Sequence, residues 1–212
     1  MMADRPPASS TWLATLHPAY FAMVMATGIV SIASFLTGLE TVAVALFACN
    51  VAFYPALWTL TLFRLWWYPD RVRADVMDHG RSVGFFTTIA ATCVLGSQCL
   101  VIAGWRSIAE ALWVFGIGLW AVLVYGIFTI LTVKKEKPAL PDGLNGGWLV
   151  SVVATQSVSV LGTQLASGFG TYENAVLFFS LVMWLGGGMF LSGFVPLNTS
   201  LRLRSTFSAR RP

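Results

Sequence analysis

The fold is decided by the stretch Asn145 to Gly168, which reads NGGWLVSVVATQSVSVLGTQLASG. From Trp148 onward it carries no charge and is long enough to cross the roughly 30 Å hydrocarbon core of a bilayer as a helix. Hydroxyl side chains nevertheless recur at every fourth position, and residues four apart share one face of a helix. These positions are Ser151, Thr155, Ser159, Thr163 and Ser167. The stretch therefore predicts a membrane helix with one polar face.

The composition of the 212-residue chain is that of an integral membrane protein. Hydrophobic residues make up 57% of it and charged residues only 10%, against about 25% charged residues in soluble domains. The mean hydropathy is +0.74. Uncharged apolar windows long enough to span a bilayer as helices occur six times. We predict an all-α membrane protein with six transmembrane helices at 19–38, 42–66, 84–104, 109–133, 148–168 and 174–197.

The basic residues predict how the chain faces. Of the 13 Lys and Arg residues, all but Arg106 fall in the amino end and in the connections on one side of the membrane. Short basic loops stay on the cytoplasmic side. We therefore expect residues 1–18 and a basic tail, 198–212, to be cytoplasmic, in a multi-pass protein of the inner or plasma membrane. The formal charge of +4 is spread over several short segments, which favours contact with lipid head groups rather than nucleic acid.

The six windows alternate in polarity. The first, third and fifth carry hydroxyls and amides, whereas the second, fourth and sixth are rich in bulky aromatics. Aromatic surface is tolerated by lipid and unsatisfied hydroxyls are not, so we expect the odd helices inside and the even helices outside, in three hairpins. The motif VLGSQ at Val94–Gln98 recurs as VLGTQ at Val160–Gln164, 66 residues later. This recurrence favours a two-helix unit repeated around an axis normal to the membrane.

Three polar faces converging on one axis would line an uncharged passage, in which hydroxyl and amide dipoles partly replace a solute's hydration shell. Glycines near the middle of the inner helices permit kinks or close approach. The candidate pore-lining residues are Thr27, Gly28, Ser31, Thr88, Thr92, Gly96, Gln98, Ser151, Thr155, Ser159, Gly162 and Thr163. The alternative for these residues is close helix packing, with each hydroxyl bonded to the carbonyl of the preceding turn.

The pattern argues against enzymatic chemistry. No acidic or basic residue lies mid-membrane in the inner helices, and the HExxH, GxGxxG and GxxxxGK[ST] motifs are missing, so we expect no enzyme, no cofactor and no metal site. His17 precedes the first inner helix, either as a cap or in a pH-sensitive vestibule. Basic residues at the inner mouth are compatible with anion passage. The leading hypothesis is a permease or channel for small anions, and the alternative is a non-transporting membrane scaffold or assembly subunit.

Four segments together carry a resemblance to a known family. They are HPAYFAMVMATGIVSIA from His17, DHGRSVGFFTTIAATCVLGSQ ending at Gln98, NGGWLVSVVATQSVSVLG from Asn145, and MWLGGGMF ending at Phe190. The chain resembles the tellurite-resistance/dicarboxylate transporter family, which includes the malate permease of yeasts, sulfite exporters and the slow-type anion channel of plant guard cells. The resemblance is strongest to its bacterial C4-dicarboxylate transporter, or malic acid transport, branch.

The resemblance implies ten helices in five hairpins around a central pore, with the odd helices inside and with assembly into homotrimers. It implies C4-dicarboxylates such as malate as solutes. Six of the ten helices are expected here, and the phenylalanine that occludes the family's pore on the ninth helix has no counterpart in this sequence. We therefore expect a C-terminally truncated member, in which Pro196 breaks the sixth helix and an aberrant tail follows. Such an incomplete ring would need self-association or a second polypeptide.

Overall fold

The computed structural model describes residues 11–133 and 146–208, with the side chains of the last helix described as far as Ser192. Within these ranges the chain is helical and contains no β-strand, which confirms the all-α prediction for the described residues. The helices are α1 (Thr11–Ala14), α2 (Phe21–Leu36), α3 (Glu40–Trp67), α4 (Pro69–Met77), α5 (Phe86–Val101), α6 (Arg106–Val133), α7 (Leu149–Leu165) and α8 (Glu173–Ser208).

Among the described residues, five helical stretches are long and apolar enough to cross a membrane, judged by length and composition. They are Pro18–Leu36, Glu40–Trp67, Ser82–Val101, Arg106–Val133 and Gly146–Ser192. The last stretch is 47 residues long and contains α7 and most of α8. Between these two helices Gly170 adopts φ 52° and ψ −115°, a conformation outside the helical region that glycine reaches most easily. The chain turns there, and α8 packs back on α7.

Consecutive long helices pack as antiparallel pairs. Ser31 Oγ on α2 donates to Ala43 O on α3 at 2.7 Å. Two turns further along α3, Asn50 Nδ2 donates to Val24 O at 2.9 Å, two turns further back on α2. Because the partner moves backward as the donor moves forward, α2 and α3 run in opposite directions. The hydrogen bonds between α7 and α8 follow the same rule, and α5 packs closely on α6.

The first helices of the three pairs stand side by side in the order α2, α5, α7. In the stretch Ser82–Val101, which contains α5, 89% of the most apolar 18-residue segment is buried inside the bundle, against 22% to 28% of the corresponding segment in each of the other four stretches. The central position of α5 explains this burial, because α2 and α7 cover it on two sides and α6 on a third. The remaining helices keep large apolar side chains such as Val114 and Phe178 exposed, as a surface that meets lipid does.

A short 3-10 turn precedes each of α2, α5 and α7. The turns are Pro18–Tyr20, Ser82–Phe85 and Gly146–Trp148, and their first residues are 64 positions apart in both cases. The first two turns touch closely, since a Cβ placed on Gly84 would lie 2.9 Å from Ala19 N. The three helices therefore begin together at one end of the bundle, which we name the amino-terminal end. The constant spacing supports a repeated structural unit.

The expectation that Pro196 breaks the sixth predicted helix is wrong, because α8 continues through it to Ser208. A proline removes one backbone donor, and a long helix with bonded turns on both sides accommodates that loss. The same happens at Pro55 inside α3. The predictions made for residues 1–10, for the basic connection within 134–145 and for the end of the tail, 209–212, lie outside the described residues.

Candidate functional site

A groove of about 420 Å³ runs along the side that α2, α5 and α7 share, and we name it the inner groove. Its wall is mainly aliphatic and includes Ile29, Val94 and Val160. Its polar lining consists of two hydroxyls and two amides: Ser97, Gln156, Ser157 and Gln164. No Asp, Glu, Lys, Arg or His is among the described residues that line it. The groove can therefore offer dipoles to a solute, but no fixed charge.

One of the two amides is held in place by the neighbouring helix. Gln156 Nε2 donates to Trp184 O on α8 at 3.0 Å. The side chain lies close to α8, since a Cβ on Gly187 would lie 2.7 Å from that nitrogen. The bond fixes the side chain at the edge of the groove and occupies its donor side. The carbonyl oxygen of the amide makes no hydrogen bond to the described residues.

Part of the hydroxyl stripe of α7 packs against α6. Thr155 is only 1% exposed. Its Oγ1 accepts a hydrogen bond from Trp120 Nε1 at 2.9 Å and donates to Ser151 O, also at 2.9 Å. Ser151 is itself fully buried, and its hydroxyl donates to Trp148 O at 2.7 Å. This section of the stripe joins two helix pairs to each other.

The rest of the stripe lies toward α8. Ser159 Oγ donates to Ser180 O at 2.6 Å. Thr163 Oγ1 donates to Ser159 O at 2.9 Å, and the threonine is exposed. These residues border a second pocket of about 430 Å³ between α7 and α8, to which Gln164 also contributes. Gln164 thus lies on the boundary between the inner groove and this pocket.

Two of the predicted polar residues of α5, Thr92 and Gln98, bond side chains of α3. Thr92 Oγ1 lies 2.8 Å from Tyr54 OH and donates to Thr88 O at 2.7 Å. Thr88 donates to a carbonyl three residues earlier in its own chain. Gln98 Oε1 accepts from Asn50 Nδ2 at 2.8 Å, and both side chains are completely buried. Asn50 also donates to the backbone of α2, so one amide links three helices.

On α2 the two predicted hydroxyls bond to backbone carbonyls. Thr27 Oγ1 donates to Met23 O, one turn earlier in the same helix. Ser31 is fully buried, and its bond to Ala43 O crosses to α3. Neither side chain lines the inner groove. Both hydroxyls therefore already have acceptors in the folded chain.

The three predicted glycines sit where helices meet. A Cβ on Gly28 would overlap Val94 of α5, and a Cβ on Gly96 would meet Leu161 of α7 in the same way. Glycine at these positions lets neighbouring inner helices approach, because there is no Cβ to hold them apart. A Cβ on Gly162 would instead meet side chains of α6 and α8. Close approach, one of the two roles predicted for these glycines, is what the geometry shows.

None of the twelve predicted pore-lining residues is among the described residues that line the inner groove. Each of these residues packs against a neighbouring helix or donates to a backbone carbonyl. Their assignment as pore-lining residues stays a prediction, and the contacts give them packing roles in addition. On α7 the groove is lined by Val153, Gln156, Ser157, Val160 and Gln164.

The sequence analysis did not predict that polar atoms of aromatic side chains on the outer helices bond the inner helices. Tyr54 of α3 bonds Thr92, and Trp120 of α6 bonds Thr155. The two aromatic residues are 66 positions apart, the same offset as the repeated VLG motif. Trp113 Nε1 also donates to the backbone of α7, at 3.0 Å from Val158 O. A signal existed, because buried Tyr and Trp need a partner for their polar atom.

Arg106, the one basic residue predicted on the opposite side, has a structural role. Its Nη2 donates to Leu165 O at the end of α7, and its Nε lies 2.8 Å from Glu110 Oε1. A cation is favourable at a helix C-terminus, where backbone carbonyls lack helical partners. The guanidinium lies over Gly168, where a Cβ would overlap it. Arg106 therefore caps α7 from the start of α6.

A buried ion cluster lies at the amino-terminal end. Arg64 at the end of α3 is 4% exposed, and its Nη2 lies 2.6 Å from Asp75 Oδ2 on α4. Arg81 Nε lies 2.6 Å from the other carboxylate oxygen of Asp75. Two arginines thus share one aspartate, so the cluster keeps a net positive charge. It ties the surface helix α4 to the bundle.

His17 lies beside this cluster. Its Nδ1 accepts a hydrogen bond from Ala19 N at 3.1 Å and caps the first 3-10 turn, which is the capping role predicted as one of its two alternatives. Burial lowers the pKa of His17, Arg81 and Arg64 lower it further, and Asp75 and Asp78 oppose them. The imidazole is therefore held toward its neutral form.

The long apolar helices indicate a multi-pass α-helical membrane protein. The family follows from comparison with known proteins. The chain belongs to the voltage-dependent anion channel family (SLAC1), whose model matches residues 15–206. This confirms the resemblance identified in the sequence. Members of this family are anion channels and transporters rather than enzymes.

Curated relatives are similar over most of this chain. An uncharacterized transporter of Methanocaldococcus jannaschii is 28% identical over 184 residues, which cover 82% of this chain and 51% of the relative. A sulfite efflux pump of Arthroderma benhamiae is 26% identical over 190 residues, covering 82% and 50%. The chain thus spans about half the length of the curated relatives it matches. No solved structure matches it significantly.

Proposed function

We propose that this chain forms part of the wall of a membrane conduit for small anions, with six membrane-crossing helices in three hairpins. Family membership supports the anion, and the antiparallel pairing of the long helices supports the hairpins. In this proposal α2, α5 and α7 face the conduit while α3, α6 and α8 face lipid. Further helices complete the ring, to ten by resemblance, and the assembled protein is a trimer.

The observation that carries the proposal is the inner groove without charged side chains. A buried cation in a passage would hold an anion too tightly for release, whereas hydroxyl and amide dipoles can replace part of its hydration shell. Positive charges outside the groove can instead attract anions over a longer distance. Arg64, Arg71, Arg73 and Arg81 lie at the amino-terminal end, and their positive potential favours anions there. We propose that this end is cytoplasmic.

The proposed solutes are small oxyanions. C4-dicarboxylates such as malate are suggested by the sequence resemblance, and sulfite is suggested by the name of two relatives. Flux of labelled malate, sulfite, nitrate and chloride into proteoliposomes, with and without a pH gradient, distinguishes the solutes and tests for proton coupling. We expect flux from a full-length homologue carrying these three inner helices. No flux of any of the four anions would count against a conduit.

Cysteine accessibility tests which face of α7 meets water. After replacement of the native cysteines, Val153→Cys and Val160→Cys place thiols on the inner groove, whereas Thr155→Cys and Ser159→Cys place them on the hydroxyl stripe. A membrane-impermeant, charged thiol reagent should modify the groove positions fastest. Fast modification at Thr155 with protected groove positions would instead favour the original assignment of the stripe as pore lining.

A second candidate function, a non-transporting scaffold or assembly subunit, is favoured by one observation. The predicted polar residues make helix contacts, which is what small polar residues do in packed membrane bundles. Protection of all four cysteines described above, together with absence of flux from the homologue, would support this alternative.

A further inference from the structure

A further cavity, separate from the inner groove and from the pocket between α7 and α8, lies at the amino-terminal end of the bundle. It has a volume of about 230 Å³ and is enclosed by the start of α2, the end of α3, α4, and parts of α5 and α6. Most of its wall is apolar, including Phe21, Leu57 and Leu123. Two nitrogen-bearing side chains, Arg64 and His17, also line it. Apolar walls with two such groups suit a ligand with a polar head and an apolar body.

Arg64 brings a positive charge to the wall of this cavity. Its Nη2 donates to Asp75 and to the backbone of α1, and its buried Nε has no hydrogen-bond partner among the described residues. A buried, unpaired N–H on a charged group costs free energy unless an acceptor reaches it. Arg81 also contacts the Asp75 carboxylate, and the segment from 64 to 81 carries four arginines against three aspartates. An acceptor with negative charge therefore satisfies both the geometry and the electrostatics.

His17 supplies a hydrogen-bond donor. Because its Nδ1 accepts the Ala19 N–H, the neutral ring carries its proton on Nε2. None of the described hydrogen bonds uses this Nε2–H. The wall of the cavity thus combines a ring N–H donor from His17 with the positive charge of Arg64, from different parts of the chain.

An apolar crevice continues from the cavity along the outer surface. It has a volume of about 790 Å³ and lies between α3 and α6, lined by residues such as Trp58 and Phe115. Leu119 lines the crevice, and Leu123, one turn further along α6, lines the cavity. From Ser107 to Leu119 the crevice follows α6 for about 18 Å at the rise of an α-helix. This is the setting of an acyl chain, next to a site for its head group.

We propose that the crevice and cavity bind an anionic phospholipid, whose phosphate lies beside the Arg64 guanidinium and accepts a hydrogen bond from His17 Nε2 and whose acyl chain lies along α6. The apolar crevice selects for a lipid over a free anion, and the net positive cluster selects for an anionic over a zwitterionic head group. The proposal concerns the surface between the outer helices and does not depend on anion transport through the inner groove. The bound lipid would fill the gap between the first two helix pairs.

Native mass spectrometry of the purified full chain tests the proposal. The chain is titrated with dioleoylphosphatidylglycerol, with dioleoylphosphatidylcholine, or with inorganic phosphate. We expect one phosphatidylglycerol to be retained more tightly than either alternative. Equal retention of the two lipids would overturn the role of the positive cluster. If inorganic phosphate is retained as tightly as phosphatidylglycerol, the claim that the bound molecule is a lipid is wrong.

Variants locate the site. Arg64→Gln should weaken phosphatidylglycerol binding about tenfold, the effect of one charge-assisted hydrogen bond. Arg71→Gln removes the same charge from an exposed position on α4 and should leave binding unchanged. His17→Asn keeps a side-chain acceptor for the cap but removes the ring donor, and Leu123→Trp fills the cavity. Both should weaken binding even where Arg64→Gln lowers the yield of folded protein. Wild-type binding by His17→Asn and Leu123→Trp would overturn the assignment.

Discussion

The contact between Trp120 and Thr155 offers a direct test of whether the hydroxyl stripe packs helices or meets water. The indole Nε1 lies 2.9 Å from Thr155 Oγ1, and the threonine is 1% exposed. In Trp120→Phe the donor is removed, and in Thr155→Val the acceptor is replaced by a methyl group of similar size. A double-mutant cycle of these two substitutions isolates the energy of the pair from the other effects of each.

The magnitude follows from the environment of the bond. Hydrogen bonds between membrane helices average about 0.6 kcal/mol and reach about 1.7 kcal/mol. Because Thr155 has almost no contact with solvent, we expect a coupling energy of about 1 kcal/mol. Thr155→Val alone should cost about 1 to 2 kcal/mol, since it also loses the donation to Ser151 O. Reversible unfolding of the chain in mixed micelles, by titration with dodecyl sulfate, measures all four corners of the cycle.

The equivalent pair one unit earlier is Tyr54 and Thr92, whose oxygens lie 2.8 Å apart. The cycle of Tyr54→Phe and Thr92→Val should give a coupling of the same sign. As the uncoupled control, Trp120→Phe combined with Thr132→Val should be additive within about 0.5 kcal/mol, because Thr132 bonds only its own helix. A coupling between Trp120 and Thr155 as small as that of the control would mean that water replaces the indole. That result would refute the packing interpretation and favour a water-lined stripe.

Three further predictions concern the same bundle. Gly96→Ala should destabilise the chain by about 1 to 3 kcal/mol in the same unfolding assay, because the added Cβ meets α7. As the control, Gly118→Ala lies in open space and should be neutral or stabilising by up to about 1 kcal/mol. Equal effects of the two substitutions would contradict the close approach of α5 and α7. Asp75→Asn should cost about 3 kcal/mol or more, because it leaves a buried arginine without its counter-charge, whereas Asp70→Asn on the exposed side of the same helix should stay within about 0.5 kcal/mol. Because the pKa of His17 is lowered in the folded chain, the unfolded chain takes up the proton at a higher pH, and the free energy of unfolding should fall as the pH drops through the unfolded pKa of about 6.5. His17→Gln should flatten this part of the plot of stability against pH. An unchanged slope would show that His17 is not the group responsible.

Hydropathy predicted long apolar helices, and five long apolar helical stretches are found among the described residues; the six separate membrane spans stay a prediction. A bilayer demands about 20 apolar residues, and such windows stand out in any chain. The window 109–133 and the helix Arg106–Val133 end at the same residue, and 148–168 overlaps α7 along its whole length. Helix ends were less predictable. The 3-10 turn before each inner helix and the helical path through Pro196 depend on local hydrogen bonds that hydropathy does not report.

The face of each inner helix was harder to assign than its position. Periodicity places Ser151, Thr155 and Ser159 on one side of α7, but it does not say which neighbour that side meets. A hydroxyl suits a water-lined face and a helix contact about equally, since in a helix contact it can bond a nearby carbonyl. Pairs far apart in sequence were equally hidden. Asn50 and Gln98 meet only because three helices are folded together.

The repeated contacts explain why the three helix pairs stand in a row. The first two outer helices pack on their own inner helices and also bond the inner helix of the next pair, as Tyr54 does with Thr92 and Trp120 with Thr155. Such a two-sided unit leaves one unused side at the last pair. That side is the pocket between α7 and α8, where Thr163 is exposed and where the buried Ser180 hydroxyl has no partner in the described part of the chain. In the proposed ring, the next helix pair occupies this side, and its first helix becomes the neighbour that α7 lacks. In that arrangement Thr155 holds α7 to the preceding pair, Ser159 holds it to α8 of its own pair, and the groove face of α7 is left to the proposed conduit.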